Sequence, residues 1–291
     1  MNPNFDINTI KAIAIDLDGT VLLPSAILSD KTLSVFKKCM EQGLQIIIAT
    51  GRSVQAAEPY RAALETTGSM VYYNGAEIVR MPENKIIHHL FLSRELTLAC
   101  ALIARRRRVH FHVFFADEDD PEIEVLMAEN PSEASNLYQK RTGLDFQYGN
   151  IDDLLQKNDT QSCIKGLFIA QAQELEEIRT ELYGKFKNEI NIVKSAENFL
   201  EILNKKASKG AGLCFVMEER NLEASQIIAF GDEENDLSLF TAAGFSCAPG
   251  NARDTVKAAA DLVIGANTEN GVAEFLETYY LNRVPGSHLP V

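Results

Sequence analysis

KAIAIDLDGT, residues 11–20, joins an unbroken apolar run to two aspartates spaced two apart. The run from Ala12 to Ile15 offers no polar side chain to water, so it reads as a strand buried on both faces, as in a parallel sheet. Asp16, Asp18, Gly19 and Thr20 then form a tight acidic turn at the carboxyl end of that strand. Open α/β sheets take their ligands at this edge. Two carboxylates held near one point suit a division of labour, in which one attacks an electrophile and the other handles protons. The plainer reading is an Asp-Gly turn that closes a strand.

The same style repeats outward. LQIIIAT (44–50) and MVYYN (70–74) read as further buried strands. Residues 29–43 read as a helix capped by Ser29 and stopped at Gly43, and 53–68 as a helix interrupted near Pro59. Near the other end, a helix starts close to Lys209, IIAFGD (227–232) is a strand and 235–244 a short helix. The middle differs: strand-like VHFHVFF (109–115), helix 131–143, strand 163–170, helix 174–186 and strand 189–195. The pattern predicts an α/β fold, a Rossmann-like core with a mainly parallel sheet plus an inserted α+β cap domain. The expected division is a core of residues 1–84 and 191–291 around a cap of residues 85–190.

Composition narrows the function. With 46% hydrophobic and 24% charged residues, and 15 Phe and 8 Tyr for bulk, 291 residues suffice for two folded domains. The 28 basic and 41 acidic residues give a net charge of −13, which repels phosphate backbones and anionic membrane surfaces. Neither nucleic acid nor membrane is an expected partner, and an anionic small substrate would need a metal or a buried cation. No apolar run approaches a membrane span, and MNPNFDINTIK has neither the basic nor the apolar region of a signal peptide. Five scattered cysteines form no metal-type pairs and read as buried thiols in a reducing cytoplasm.

Three more motifs fall at strand ends or helix starts. ATGR (49–52) places a hydroxyl and exposed N–H groups where a phosphoryl oxygen could sit. Lys209 in SKGAGL (208–213) opposes the dipole of its own helix, a poor choice unless it neutralises an anion. GDEEND (231–236) ends a strand with carboxylates able to join the first pair around a hard cation. Each alone has a structural explanation. Together they supply nucleophile, proton carrier, hydroxyl, cation and metal ligand, the set that phosphoryl transfer requires.

The ordered set DLDGT, ATGR, SKG and GDEEND resembles the four motifs of the haloacid dehalogenase superfamily. YYNGAEI (72–78), GNARDTVKAAAD and NGVA resemble its Cof-type phosphatase branch, subfamily IIB. The resemblance implies a Mg²⁺-dependent phosphatase that hydrolyses small phosphomonoesters, such as sugar phosphates, through an aspartyl-phosphate. It makes Asp16 the nucleophile and Asp18 the general acid and base. Thr50, Gly51, Lys209 and Asn235 would bind phosphate. Asp16, the Asp18 carbonyl and Asp232 would bind Mg²⁺, and Asp236 would support the metal shell or Lys209. Arg52, Asn74 and His112 are candidate substrate contacts. Only 34 residues separate Asp16 from Thr50, but 159 separate Thr50 from Lys209, so the insertion implies a C2B-type cap that selects the leaving group.

Some features fit less directly. EILNKKASKG carries Asn204 and Lys206 where the family usually has Pro and Gly, and Pro249 stands where Met is more common. RRRR (105–108) reads as cations at a helix end, His110 and His112 as neighbours on one strand face, and DEDD (117–120) as a solvated turn. A phosphotransferase or mutase, and a non-catalytic phosphometabolite-binding module, are the competing readings. The expected partner is a small phosphorylated metabolite, and the expected state a cytoplasmic monomer or homodimer.

Overall fold

The computed structural model describes residues 5–117, 120–121, 124–157 and 161–283. The first part contains β1 (Ala12–Ile15), α1 (Asp30–Glu41), β2 (Gln45–Ile48), α2 (Val54–Leu64), β3 (Gly68–Tyr72), β4 (Glu77–Met81) and β5 (Lys85–His89). Next come α3 (Arg94–Arg107), β6 (His110–Asp117), β7 (Glu124–Ala128), α4 (Glu133–Thr142), β8 (Phe146–Tyr148) and α5 (Ile151–Lys157). β9 (Gln161–Ile169), α6 (Ala172–Phe186), β10 (Ile190–Ala196) and β11 (Phe199–Asn204) complete the middle. The last part holds α7 (Lys209–Arg220), β12 (Ile227–Phe230), α8 (Leu237–Ala242), β13 (Phe245–Pro249), α9 (Asp254–Ala259), β14 (Leu262–Ile264) and α10 (Gly271–Phe275).

Five strands form a parallel sheet in the order β14-β13-β12-β1-β2. β1 is buried along its whole length because strands pair on both edges and helices cover both faces. The chain leaves β1 toward β2 on one side and later returns through β12 on the other. The carboxyl ends of these three strands therefore flank the switch point where such sheets bind ligands. Asp16, Thr50 and Asp232 follow closely on those three ends.

Two local expectations are revised. The run 70–74 does not add a full parallel strand. β3 meets the core sheet through one bridge, Ala49 to Val71, and otherwise belongs to an antiparallel sheet β3-β4-β5. Pro59 does not interrupt α2. The loss of one N–H is tolerated there because Ser53 caps the helix and Val54, Ala57 and Leu64 bury its inner face.

The inserted sheet runs β10-β11-β9-β6-β7-β8 and is antiparallel apart from β7 with β8. Phe111, Val113 and Phe115 pack with residues of α3 and α6, whereas Phe114 joins the apolar cluster that includes core residues such as Tyr73. This pairing moves the expected boundaries. Residues 85–89 pair with β4 on the core side, and β10 and β11 extend the cap sheet although 191 onward was assigned to the core. INIVKSA and FLEILN are apolar runs that either sheet would accept, and only the pairing partners decide.

Arg105, Arg106 and Arg107 close α3 and pair with Glu129, Asp152, Glu177 and Glu181, so the run is structural. Cys39, Cys100, Cys163 and Cys247 are buried as expected, but Cys214 is exposed. The DEDD turn includes residues 118 and 119, which lie outside the described residues. Among the described residues no helix is long and apolar enough to cross a membrane.

Candidate active site

Asp16 leaves β1 with its N–H bonded to the Phe230 carbonyl at 3.0 Å, which ties the first acidic turn to β12. Its Oδ1 accepts a hydrogen bond from Lys209 Nζ at 2.6 Å, and the same ammonium donates to Asp236 Oδ1 at 2.7 Å. Lys209 is fully buried at the start of α7, so the cation opposing its helix has two anions to meet. Burial works against this ammonium, but Asp16 and Asp236 outweigh it and raise its proton affinity.

The second oxygen of Asp236 accepts from the N–H groups of Asp232 and Glu233, both at 3.0 Å. Asp236 is thus an organiser of its own loop and of Lys209. Thr20 Oγ1 donates to Asp232 Oδ1 at 2.9 Å, and Gly19, at φ +79°, lies so close that a Cβ there would sit 2.2 Å from Asp232 Oδ2. Asn251 in the GNARD stretch donates to the Gly19 carbonyl at 2.8 Å, and the Arg253 N–H bonds the Asp232 carbonyl at 3.1 Å. Burial pushes Asp16 well up and Asp232 up to about 7, with neighbouring carboxylates adding to both.

Asp16, Asp232 and Asp236 offer carboxylate oxygens within 4.8 Å of one another. If all three ionise, their charge exceeds that of the Lys209 ammonium by two in a buried space, and a divalent cation with hard oxygen ligands would offset that excess in place of the protons that burial favours. With both oxygens of Asp236 engaged, Asp16 and Asp232 are the side chains left to hold it.

Asp18 lies at the open side of this cluster. Arg52 grips it through two bonds of 2.7 Å, Nε to Oδ2 and Nη2 to Oδ1. Burial would raise the Asp18 carboxyl, but Arg52 prevails and holds it below its ordinary value. Thr50 is buried, accepts the Arg52 N–H on Oγ1 at 3.1 Å, and exchanges backbone bonds with Val71 and Asn74. One cleft is lined by Asp16, Asp18, Thr50, Gly51, Lys209 and Asn235, which gathers most of the expected residues from four distant segments.

Two expected substrate contacts stand elsewhere. Asn74 is buried behind Gly51, donating to Glu201 Oε2 at 2.6 Å and accepting from Asn235 Nδ2 at 2.9 Å. Tyr73, Asn74 and Gly75 all have positive φ, a tight turn that aims this amide inward. His112 does not line the cleft: its ring is fully buried against Tyr138, Phe146 and Phe114, with Nδ1 3.0 Å from His110 Nε2. Phe114 and Phe146 of the sheet and Tyr138 of α4 enclose it, and among the described residues no third ligand makes the pair a metal site.

Sequence reasoning missed the cap side of the cleft, which Tyr138, Arg141, Lys165, Ser195, Phe199 and Glu201 form. The available signal was one charged residue inside each of two apolar runs, Lys165 in CIKGLFI and Glu201 in FLEIL.

With this geometry in view, the chain matches known proteins over nearly its whole length. A family model for haloacid dehalogenase-like hydrolases matches residues 13–276. A Haemophilus influenzae protein named as a candidate phosphatase is 30% identical over 274 residues, covering 93% of this chain and 97% of that one. A 5-amino-6-(5-phospho-D-ribitylamino)uracil phosphatase of Bacillus subtilis is 28% identical over 270 residues, covering 92% and 97%. The solved structure of a haloacid dehalogenase-like hydrolase from Bacteroides thetaiotaomicron superposes with a TM-score of 0.81 at 26% identity, covering 93% of this chain and 100% of that one. The motif order, the capped parallel sheet and these matches agree: the chain belongs to the haloacid dehalogenase-like hydrolases, in their Cof-type phosphatase branch.

Proposed function

We propose that the protein hydrolyses small phosphomonoesters, sugar phosphates or metabolites of similar size, in the cytoplasm and with Mg²⁺ as cofactor. The observation that carries this reading is the single cleft that joins Asp16, Asp18, Thr50 and Lys209 under side chains of the cap. Asp16 attacks phosphorus and forms an aspartyl-phosphate as the bond to the leaving oxygen breaks. Asp18 gives that oxygen its proton. Arg52 favours ionised Asp18, but an arriving phosphate dianion raises its proton affinity, because adjacent negative charges resist coexisting. Once the alcohol has left, ionised Asp18 takes a proton from the water that attacks the aspartyl-phosphate, releasing phosphate and regenerating Asp16.

Thr50, the Gly51 turn and Asn235 hold phosphoryl oxygens in this scheme, and Lys209 aims Asp16 and offsets part of the cost that burial puts on its charge. Mg²⁺ held by Asp16, Asp232 and the Asp18 carbonyl would supply charge neutralisation between the nucleophile and the phosphate. The cap limits the size of the leaving group and excludes water from the first step.

The test is phosphate release from sugar phosphates, nucleotides and an aryl phosphate, with Mg²⁺ or with chelator. Wild-type protein should turn over some esters only with Mg²⁺, and Asp16→Asn should lose at least about 10³-fold in kcat. Turnover that survives Asp16→Asn would remove the nucleophile assignment.

A further inference from the structure

Lys165 is 1% exposed within the apolar strand β9, where an uncharged residue of similar length would pack at lower cost. Its ammonium donates to the backbone carbonyl of Gly51, across the cap–core boundary, at 2.9 Å. The nearest carboxylate oxygen, Glu201 Oε1, is 3.7 Å away, and the rings of Phe114 and Tyr73 lie 4.5 and 5.4 Å from the nitrogen. Glu201 stands on the adjacent strand β11, opposite Leu167, and is 5% exposed. Its Oε1 accepts from Ser195 Oγ at 2.8 Å, and its Oε2 accepts from core residue Asn74, which in turn is bonded to Asn235.

Each of these two cap side chains therefore holds one turn of the core cleft. Fixing the Gly51 carbonyl fixes the peptide plane it shares with the Arg52 N–H, because the peptide is planar. That N–H is the one bonded to Thr50 Oγ1, so the orientation of the Thr50 hydroxyl depends on the peptide that Lys165 holds. Glu201 acts on the other side, orienting the Asn74 amide and through it the Asn235 side chain.

We infer that Lys165 and Glu201 are positioning residues that complete the phosphate-binding turns only when the cap is closed on the core. The inference rests on the reading of this cleft as a phosphate site, and it assigns neither residue a contact with the reacting atoms. Cap closure and phosphate-site order then become one event, and a ligand that stabilises either stabilises both.

The experiment compares wild type with Lys165→Met, Lys165→Arg, Glu201→Gln and the Lys165→Met/Glu201→Gln double variant. Affinity for inorganic phosphate in the presence of Mg²⁺ is measured by calorimetry, kcat and KM on the best ester, and the thermal midpoint of each protein. Lys165→Met should weaken phosphate binding about tenfold and lower kcat/KM by at least as much, as expected for loss of a buried charge-assisted bond. Lys165→Arg, which retains a donor, should recover most of the affinity. The double variant should lose less than the product of the two single losses, since both act through one closure.

A merely structural role would lower the thermal midpoint and leave the phosphate affinity of the folded protein unchanged. That result overturns the inference, as does wild-type affinity and turnover in Lys165→Met. Should Lys165→Met fail to fold, Glu201→Gln carries the same two readouts, with weakened phosphate binding expected and unchanged binding overturning. If wild-type protein releases phosphate from no ester while the variants still lose affinity, the proposed hydrolysis fails and the positioning role stands. If wild type hydrolyses esters and the variants match it in both readouts, only the positioning role falls.

Discussion

Arg52 shows how one side chain sets the state of a neighbour. Its guanidinium is held by the Ala56 carbonyl at 3.2 Å and lies 4.8 Å over the Tyr60 ring, so the fork that meets Asp18 is already oriented. Two parallel bonds fix both the charge and the rotation of the carboxylate, which a single donor cannot do. Lysine keeps the positive charge but loses the planar pair and the stacking. Arg52→Lys should therefore lower kcat about tenfold with a smaller change in KM, because binding charge survives and geometry does not. Steady-state kinetics on the best ester would check it. An unchanged kcat would mean that Asp18 needs no such orientation.

At the scale of elements, the turn between β3 and β4 and the start of α7 are built against each other. Gly75 has φ +90°, and a Cβ there would stand 2.1 Å from the Ser208 carbonyl oxygen, next to the residue that begins α7. Gly43 has almost the same φ, +89°, with nothing within 4 Å of a Cβ. Alanine at Gly43 meets backbone strain alone and should cost about 1 kcal/mol. At Gly75 the same strain is joined by a clash with backbone, and Gly75→Ala should cost about 3 kcal/mol or more. Urea unfolding of the pair separates the two effects, and equal losses would show that α7 yields freely. What the sequence disclosed follows the same line between local and non-local. The strand AIAI, the cap Ser29 and the turns bearing Asp16, Thr50 and Asp232 are legible because period and turn chemistry are properties of a few adjacent residues. Lys165 and Glu201 were not, because their place in the cleft depends on β11 lying beside β9 and on that sheet face meeting the core. The pairing of β10 and β11 with the cap sheet, and the enclosure of His112 by Phe114, Tyr138 and Phe146, are non-local in the same way.

For the whole molecule, the meeting of core and cap carries a dependence on pH that can be measured apart from catalysis. Glu77 on β4 is 1% exposed, and its Oε1 has no hydrogen-bond partner among the described residues. Burial, and then the nearby Glu124 of the cap strand β7, push its carboxyl up to about 8, from an ordinary value of 4.5. Burial likewise pushes Glu124 up to about 7. A folded value above the unfolded one means that the native state holds the proton more tightly between them. The stability due to protonated Glu77 is therefore complete below pH 4.5 and declines as pH rises toward 8, by at most about 1.4 kcal/mol per unit. Glutamine keeps the shape of the neutral acid and cannot ionise. Glu77→Gln should match wild type near pH 4.5 and become progressively more stable than it up to about pH 8, with no further gain above. Comparing the two proteins at each pH cancels the titrating groups that do not interact with Glu77, including His110, which burial pushes down to about 4 and which erodes stability on the acid side instead; Glu124, coupled to Glu77, contributes to the measured difference. Thermal midpoints of both proteins from pH 4.5 to 9 decide the matter. A constant difference across that range would mean that Glu77 is solvated or paired in solution, and the core–cap boundary would then be wetter than its packing implies.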